Sequence, residues 1–234
     1  MSDNLKIWST NQKTDPSHVK DAQKGLSSID AYYIFQQATK MFGPCGIGWG
    51  YEELREDYQS GEPIIDKSGE ITGTIINHVI RIKLWYKWNG EKGEINSIGS
   101  TKYLSKNKYG MVSDEEAAKK SLTDAIKKAL SMLGFSADVY MGMFEDANYR
   151  TEVGNEKAIE KAVDKDAEKA RQAEALKADF DKCIIQMQGA VSMSMLEGLY
   201  KSMARRLTQR DTAMARQLTK VKDEMIVKLS EGEE

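Results

Sequence analysis

Residues 74–88 restrict the fold of this chain more than any other stretch. Their even positions, Ile76, His78, Ile80, Ile82, Leu84, Tyr86 and Trp88, are nearly all apolar, and Asn77, Arg81, Lys83 and Lys87 fall between them. That alternation is the period of a half-buried strand, with one face in the core and a basic face in water. NGEKG at 89–93 reads as a hairpin turn, so a return strand is expected over 94–104. With a further strand around 49–58 this makes an antiparallel meander of at least three strands, a sheet that can keep one face wet.

A helix is expected next, over 113–133. Ser113 and Glu116 have capping-box spacing, and Gly134 sits where a helix stops. Ala118, Leu122, Ala125, Ile126, Ala129 and Leu133 share one arc of the wheel, which should be core. Lys119, Lys120, Thr123, Lys127 and Lys128 spread over the opposite arc, where Asp124 is the only acid after the first turn. A solvated surface helix is the plain reading of that arc; the surrounding charge sharpens it.

The net charge of −2 carries no general bias toward nucleic acid, but its distribution is uneven. From 50 to 70 there are seven acids against Arg55 and Lys67, or −5. From 81 to 128 there are eleven Lys and Arg against six acids, or +5, and 99–113 holds Lys102, Lys106 and Lys108 with no acid. A chain of near-neutral total charge can thus present a basic stripe. The acidic block reads as a solvated edge in preference to a brake on non-specific binding.

The N-terminal part is polar. Asp15 and Pro16 read as a cap and first turn, suggesting a short helix to Lys24. A second helix is expected from Ser27 or Ser28 to Gly43, carrying Tyr32, Tyr33, Ile34, Phe35, Ala38, Met41 and Phe42. FGPCGIGWGYE at 42–52 looks like a tight turn into a strand. It lacks a preceding strand and a GKS or GKT ending, so it is no phosphate loop. The segment 135–150 is apolar enough to close a domain. Beyond Gly154, neighbouring rows of Lys and acids read as a solvated helical linker. Apolar stripes then resume from Ala173, with helix starts at Ser194 and Thr208, and the chain ends in EGEE. Half of the 12 methionines lie in this part, which suits an adaptable contact surface or an ordinary core.

These signals give an α+β fold, an antiparallel meander packed on helices and followed by a small helical domain. The expected division is a core at 1–150, a linker at 151–172 and a helical domain at 173–234. Forty per cent hydrophobic residues suffice for a real core, and 30% charged residues favour solubility. No apolar run approaches a membrane span and nothing after MSDNLK reads as a signal segment. Cys45 and Cys183 are isolated, so a reducing cytosolic compartment is expected. With only His18 and His78 in the chain, a histidine metal site or catalytic triad is not expected, and His78 reads as a core histidine.

The order of motifs resembles the single-strand annealing proteins of the Rad-fifty-two superfamily, including phage relatives of the Sak type. A helix ending in MFG leads to a glycine-rich turn and a Trp-containing strand. A basic hairpin, a short basic segment and a helix with TDAIKKAL…GF follow. The resemblance covers roughly residues 31–149, and KMFGPCGIGWGYE is similar to the phage branch in particular.

The resemblance implies a domain that assembles into rings or short filaments and pairs complementary DNA strands without ATP or another cofactor. Its setting would be recombination or repair of phage DNA in the cytoplasm of a bacterial host. It implies that Lys127 and Lys128 match the paired basic residues of the inner DNA site. Lys102, Lys106, Lys108, Lys119 and Lys120 would border that site, and Lys83 or Lys87 would match the hairpin lysine of a secondary site; the basic hairpin face with Arg81, Lys83 and Lys87 is expected to attract a second strand. Ser131 and Tyr33 stand where the family has arginines; Tyr33 is read either as core or as a base-stacking group.

Two other readings stay open. In one, the chain is a protein-interaction adaptor of a replication or recombination complex, working through its helical C-terminal domain. That domain would dock a host single-strand binding protein or a companion exonuclease, or pack on its own ring. In the other, Glu52, Glu53, Glu56 and Asp57 form a nuclease site, which their exposed-looking spacing disfavours.

Overall fold

A computed structural model describes residues 3–21, 27–66, 68–207 and 211–231. Contacts divide the chain into two compact units, Met1–Glu145 and Asp146–Glu234. The first is built on a four-stranded antiparallel sheet in the order β3-β4-β5-β6: Trp49–Ile65, Ile71–Trp88, Glu91–Asn107 and Gly110–Ser113. The alternation in β4 does what its pattern requires. His78, Ile80, Ile82 and Leu84 are buried, and Arg81 and Lys87 are exposed. Trp88 pairs with Glu91 across a two-residue loop, in which Asn89 and Gly90 both have positive φ, 51° and 84°. Asn-Gly is the pair that tolerates that turn, whose twist matches the strands.

The strand β3 runs well past the expected end at 58. Its pairing with β4 shifts register between Glu53 and Arg55 and again between Ser60 and Pro63, so bulges break the alternation a sequence reading depends on. The fourth strand, β6, pairs Ser113 with Leu104.

The lysine-bearing helix α3, Ala117–Ser131, lies on the apolar side of β4 and β5. The expected capping box does not form. Ser113 is taken by β6, and the Asp114 side chain instead accepts a hydrogen bond from the Glu116 amide at 3.1 Å. Ala117, Ser121, Ala125 and Ala129 give α3 a small-residue face that sits directly on Gly99. A Cβ there would overlap the Ser121 carbonyl oxygen and lie 2.7 Å from the Ala125 nitrogen.

The helix α2, Ala31–Phe42, starts later than expected because Asp30, not a serine, caps it by accepting from the Tyr32 amide at 2.9 Å. Ser27–Ile29 forms a strand (β2) paired with Val19–Asp21 (β1), and Pro16–His18 is a single 3-10 turn. The end of the expected helix at Lys24, together with Lys67, Thr208 and most of the EGEE tail, lies outside the described residues. Phe42 packs against Tyr86 and Phe135 at ring separations of 5.0 and 5.7 Å, joining α2, the sheet and the chain after α3.

The N-terminal segment closes this unit. Helix α1, Lys6–Asn11, brings Trp8 against Gly134, whose φ is 94° and whose absent Cβ would fall 2.6 Å from the Trp8 Cα. Thr14 then donates its amide and its hydroxyl to the Asp138 carboxylate at 2.7 and 2.6 Å, and the Val139 amide donates to the same group at 2.9 Å. Both Thr14 and Asp138 are buried, and Asp138 lies in the short helix α4, Ala137–Tyr140.

The second unit holds α5 (Ala147–Lys161), α6 (Lys165–Gln188), α7 (Met193–Leu207) and α8 (Thr212–Glu231). Phe180, Met187, Leu196, Leu207 and Leu218 lie at the centre of its core, together with Cys183, whose thiol is pushed up by burial. The boundary falls at Glu145 and Asp146. The stretch 151–172 contains the rest of α5, a break capped by Asp164, and the start of α6. Gln172 donates across that break to the Asn155 carbonyl at 3.0 Å.

Candidate nucleic-acid interface

The register sets the outer face of the sheet, away from α3, as rows across three strands. Reading β3, β4 and β5 in turn, they are Glu52, Lys83 and Asn96; Arg55, Arg81 and Ile98; Asp57, Val79 and Ser100; and Gln59, Asn77 and Lys102. Lys87 and Lys92 face each other nearer the Asn89–Gly90 turn. This face therefore carries the six cations Arg55, Arg81, Lys83, Lys87, Lys92 and Lys102. Opposing them are three carboxylates, Glu52, Asp57 and Glu94.

Several of these cations are engaged. Lys83 lies 3.8 Å from Glu52 and 3.5 Å from Glu94, Lys92 is 2.8 Å from Glu94, and Arg55 is 2.6 Å from Asp57. The Lys92 bond holds the Glu94 carboxyl below its ordinary range. Among the described residues, Arg81, Lys87 and Lys102 form no ion pair.

On α3, Lys120, Asp124 and Lys128 are four residues apart and run beside β5. From Glu91 to Tyr103, β5 has no strand neighbour on this side, and α3 covers part of the gap. The Ser100 amide points to Asp124 at 3.4 Å, and the Lys128 ammonium reaches the Ile98 carbonyl at 3.5 Å and Asp124 at 2.7 Å. Lys128 thus closes a sheet edge with its acid partner. Lys120 sits 2.7 Å from Asp114, whose carboxylate raises the ammonium pKa, and Lys119 is 3.1 Å from Glu116. Lys127, half-buried, is the α3 lysine with no ion pair among the described residues.

Asp124 also acts on Tyr140. Tyr140 is 46% exposed, and the partial desolvation of its hydroxyl first, with the Asp124 charge second, pushes that phenol up to about 12. The folded chain favours the neutral phenol, so this contribution to stability is intact below pH 10 and is lost as pH rises through about 12. In Asp124→Asn the phenolate absorbance attributable to Tyr140, isolated by subtracting Tyr140→Phe, should appear at lower pH yet still above the ordinary tyrosine range. An unchanged midpoint would separate Asp124 from Tyr140.

The remaining residues fall elsewhere. Tyr33 is buried: its ring stacks on His18 at 4.4 Å, and its hydroxyl oxygen accepts from the Asp15 amide at 3.2 Å. It belongs to the core and leaves no face for a base. Lys102 and Lys106 are exposed on β5; the Asp66 carboxyl is held below its ordinary range by hydrogen bonds from the Ser68 hydroxyl and the Glu70 amide, with a smaller part from the Lys106 charge. Lys108 stands in the β5–β6 turn. His78 is buried with its Nε2 2.7 Å from Glu56, and its Nδ1 meets no hydrogen-bond partner among the described residues.

A residue the sequence reading passed over is Tyr109, exposed beside Lys108; an aromatic inside an acid-free lysine run is the signal that points to it. Among the described residues, no three or more His, Cys, Asp or Glu side chains converge as a metal site, and no helix is long and apolar enough to cross a membrane. No protein-family model, no curated protein and no solved structure matches the chain.

Proposed function

We propose that the chain is an ATP-independent single-strand annealing protein. In this reading the first unit holds single-stranded DNA by its backbone across the outer face of the sheet and the border of α3 and β5, and it works as a homo-oligomer. One observation carries the reading. The span 95–113 contains no acid, and it folds into β5 and β6 with Lys102, Lys106 and Lys108 exposed, farther along the strand whose edge α3 borders at Ile98 and Ser100.

Annealing needs phosphate neutralisation with bases left free to pair, and lysines suit that task as point charges that read no sequence. Ion-paired lysines contribute less, because phosphate must displace a carboxylate first. The cations best placed for phosphate are those that form no ion pair among the described residues: Arg81, Lys87, Lys102, Lys106, Lys108 and Lys127. Six contacts would give a log–log salt slope of at most about −4 per protomer for a single strand.

The test uses the full chain. Lys127→Ala should weaken binding to labelled single-stranded oligonucleotides about fivefold at low salt and flatten the slope by about 0.7. Lys119→Ala, which removes an already paired cation, should change neither much. Unchanged binding and strand annealing in a folded Lys127→Ala protein would remove α3 from the site. Imaging with and without single-stranded DNA tests assembly, for which a ring or filament is the expected result.

The adaptor reading is favoured by a different observation, the separate core of the second unit. It predicts that Lys127→Ala and the other interface substitutions leave the protein's biological role intact.

A further inference from the structure

We infer that the tip of the β5–β6 hairpin is a base-stacking contact, with Tyr109 as the platform and Lys106 and Lys108 holding the adjoining phosphates. The inference rests on the single-strand binding proposed above, and adds to backbone capture a contact that touches the bases.

The turn is built to display its side chains. Asn107 pairs with Gly110, so Lys108 and Tyr109 alone form the loop. Neither is a turn-forming residue type; the other tight hairpin of this sheet uses Asn89 and Gly90. Here the turn geometry comes from the flanks. The Asn107 side chain accepts a hydrogen bond from the Tyr109 amide at 2.7 Å, and Gly110 takes φ 135°. Both loop positions are thereby free of turn duty and are occupied by a cation and a large ring.

Tyr109 is 84% exposed, although burying an aromatic of this size is among the larger gains open to a folding chain. The Lys108 ammonium lies 4.8 Å from the ring centroid. A cation on one face orders the ring and leaves the opposite face in water. A flat apolar face beside the Lys108 ammonium, on a hairpin that also exposes Lys106, matches a nucleotide, a planar base on an anionic backbone. Because every base has such a face, the contact is sequence-tolerant, as annealing requires.

The experiment compares two labelled strands of equal length, oligothymidylate and its fully abasic counterpart, which keeps the phosphates and lacks the bases. With the full-length protein, Tyr109→Ala should weaken oligothymidylate binding about tenfold and leave abasic-strand binding unchanged. Tyr109→Trp should retain wild-type affinity for both. Lys108→Gln should weaken both strands alike and flatten the salt dependence. Equal oligothymidylate affinity in Tyr109→Ala and wild type would overturn the stacking contact while leaving backbone binding standing. So would an equal loss on both strands, which would mark a disturbed hairpin. Wild-type protein that binds neither strand at low salt would overturn the single-strand reading itself.

Discussion

Gly99→Ala should destabilise the first unit by about 3 kcal/mol or more, a larger loss than ordinary overpacking gives. The added methyl would meet the Ser121 carbonyl oxygen and the Ala125 nitrogen, which are both backbone atoms of α3. No rotamer change relieves such an overlap; the helix must lift from the sheet. Lifting it would uncover Ile80, Ile82 and Leu84 and break the Asp124 and Lys128 contacts to β5. Urea unfolding followed by circular dichroism measures the loss. A midpoint within error of wild type would mean that α3 does not rest on Gly99. Because the lysine row rides on this helix, the same variant should also lose DNA affinity under conditions where it is still folded.

The second large effect is expected from Asp138→Ala. The buried carboxylate accepts from the Thr14 amide, the Thr14 hydroxyl and the Val139 amide. Truncation strands these donors in a buried site, at about 1–3 kcal/mol for each group that finds no water. A total loss of roughly 3–5 kcal/mol is expected, within the range for breaking a buried polar network. Thr14→Val removes only the hydroxyl and should cost clearly less. If Thr14→Val were the more damaging change, the carboxylate would not be the centre of the arrangement.

Much of the sheet was legible because β4 obeys one simple rule, apolar side chains on every second residue, and because Asn89–Gly90 is a turn with few alternatives. The extent of β3 was not legible, since its bulges shift the pattern from one face to the other within a few residues. The caps were misread for a related reason. Ser113 has the right chemistry and spacing, but its place in β6 leaves Asp114 to begin α3.

The candidate site shows the same limit. A helical wheel puts four lysines on one side of α3 and cannot say which of them already has an acid partner. Asp114, six residues before Lys120, comes within reach only because the chain turns from β6 into the helix. Lys127 and Lys128 are adjacent in sequence and look equivalent there, yet Lys128 covers a sheet edge and Lys127 forms no ion pair among the described residues. Tyr33 and Tyr109 divide similarly. The first is aromatic on an apolar helix face and becomes core. The second stands among lysines and remains in water.

The tie between Thr14 and Asp138 also bears on the order in which the chain folds. The strands β3 to β6 follow one another as neighbouring hairpins, so their pairing closes short loops. Thr14 and Asp138 are 124 residues apart, and closing a flexible loop of that length carries an entropy term of about 4 kcal/mol relative to adjacent residues. Sheet formation removes most of that cost by gathering the intervening chain first. The N-terminal segment is therefore a late latch, set only after the ribosome has delivered α4 and the sheet is in place, and it should be the first part of the unit to open.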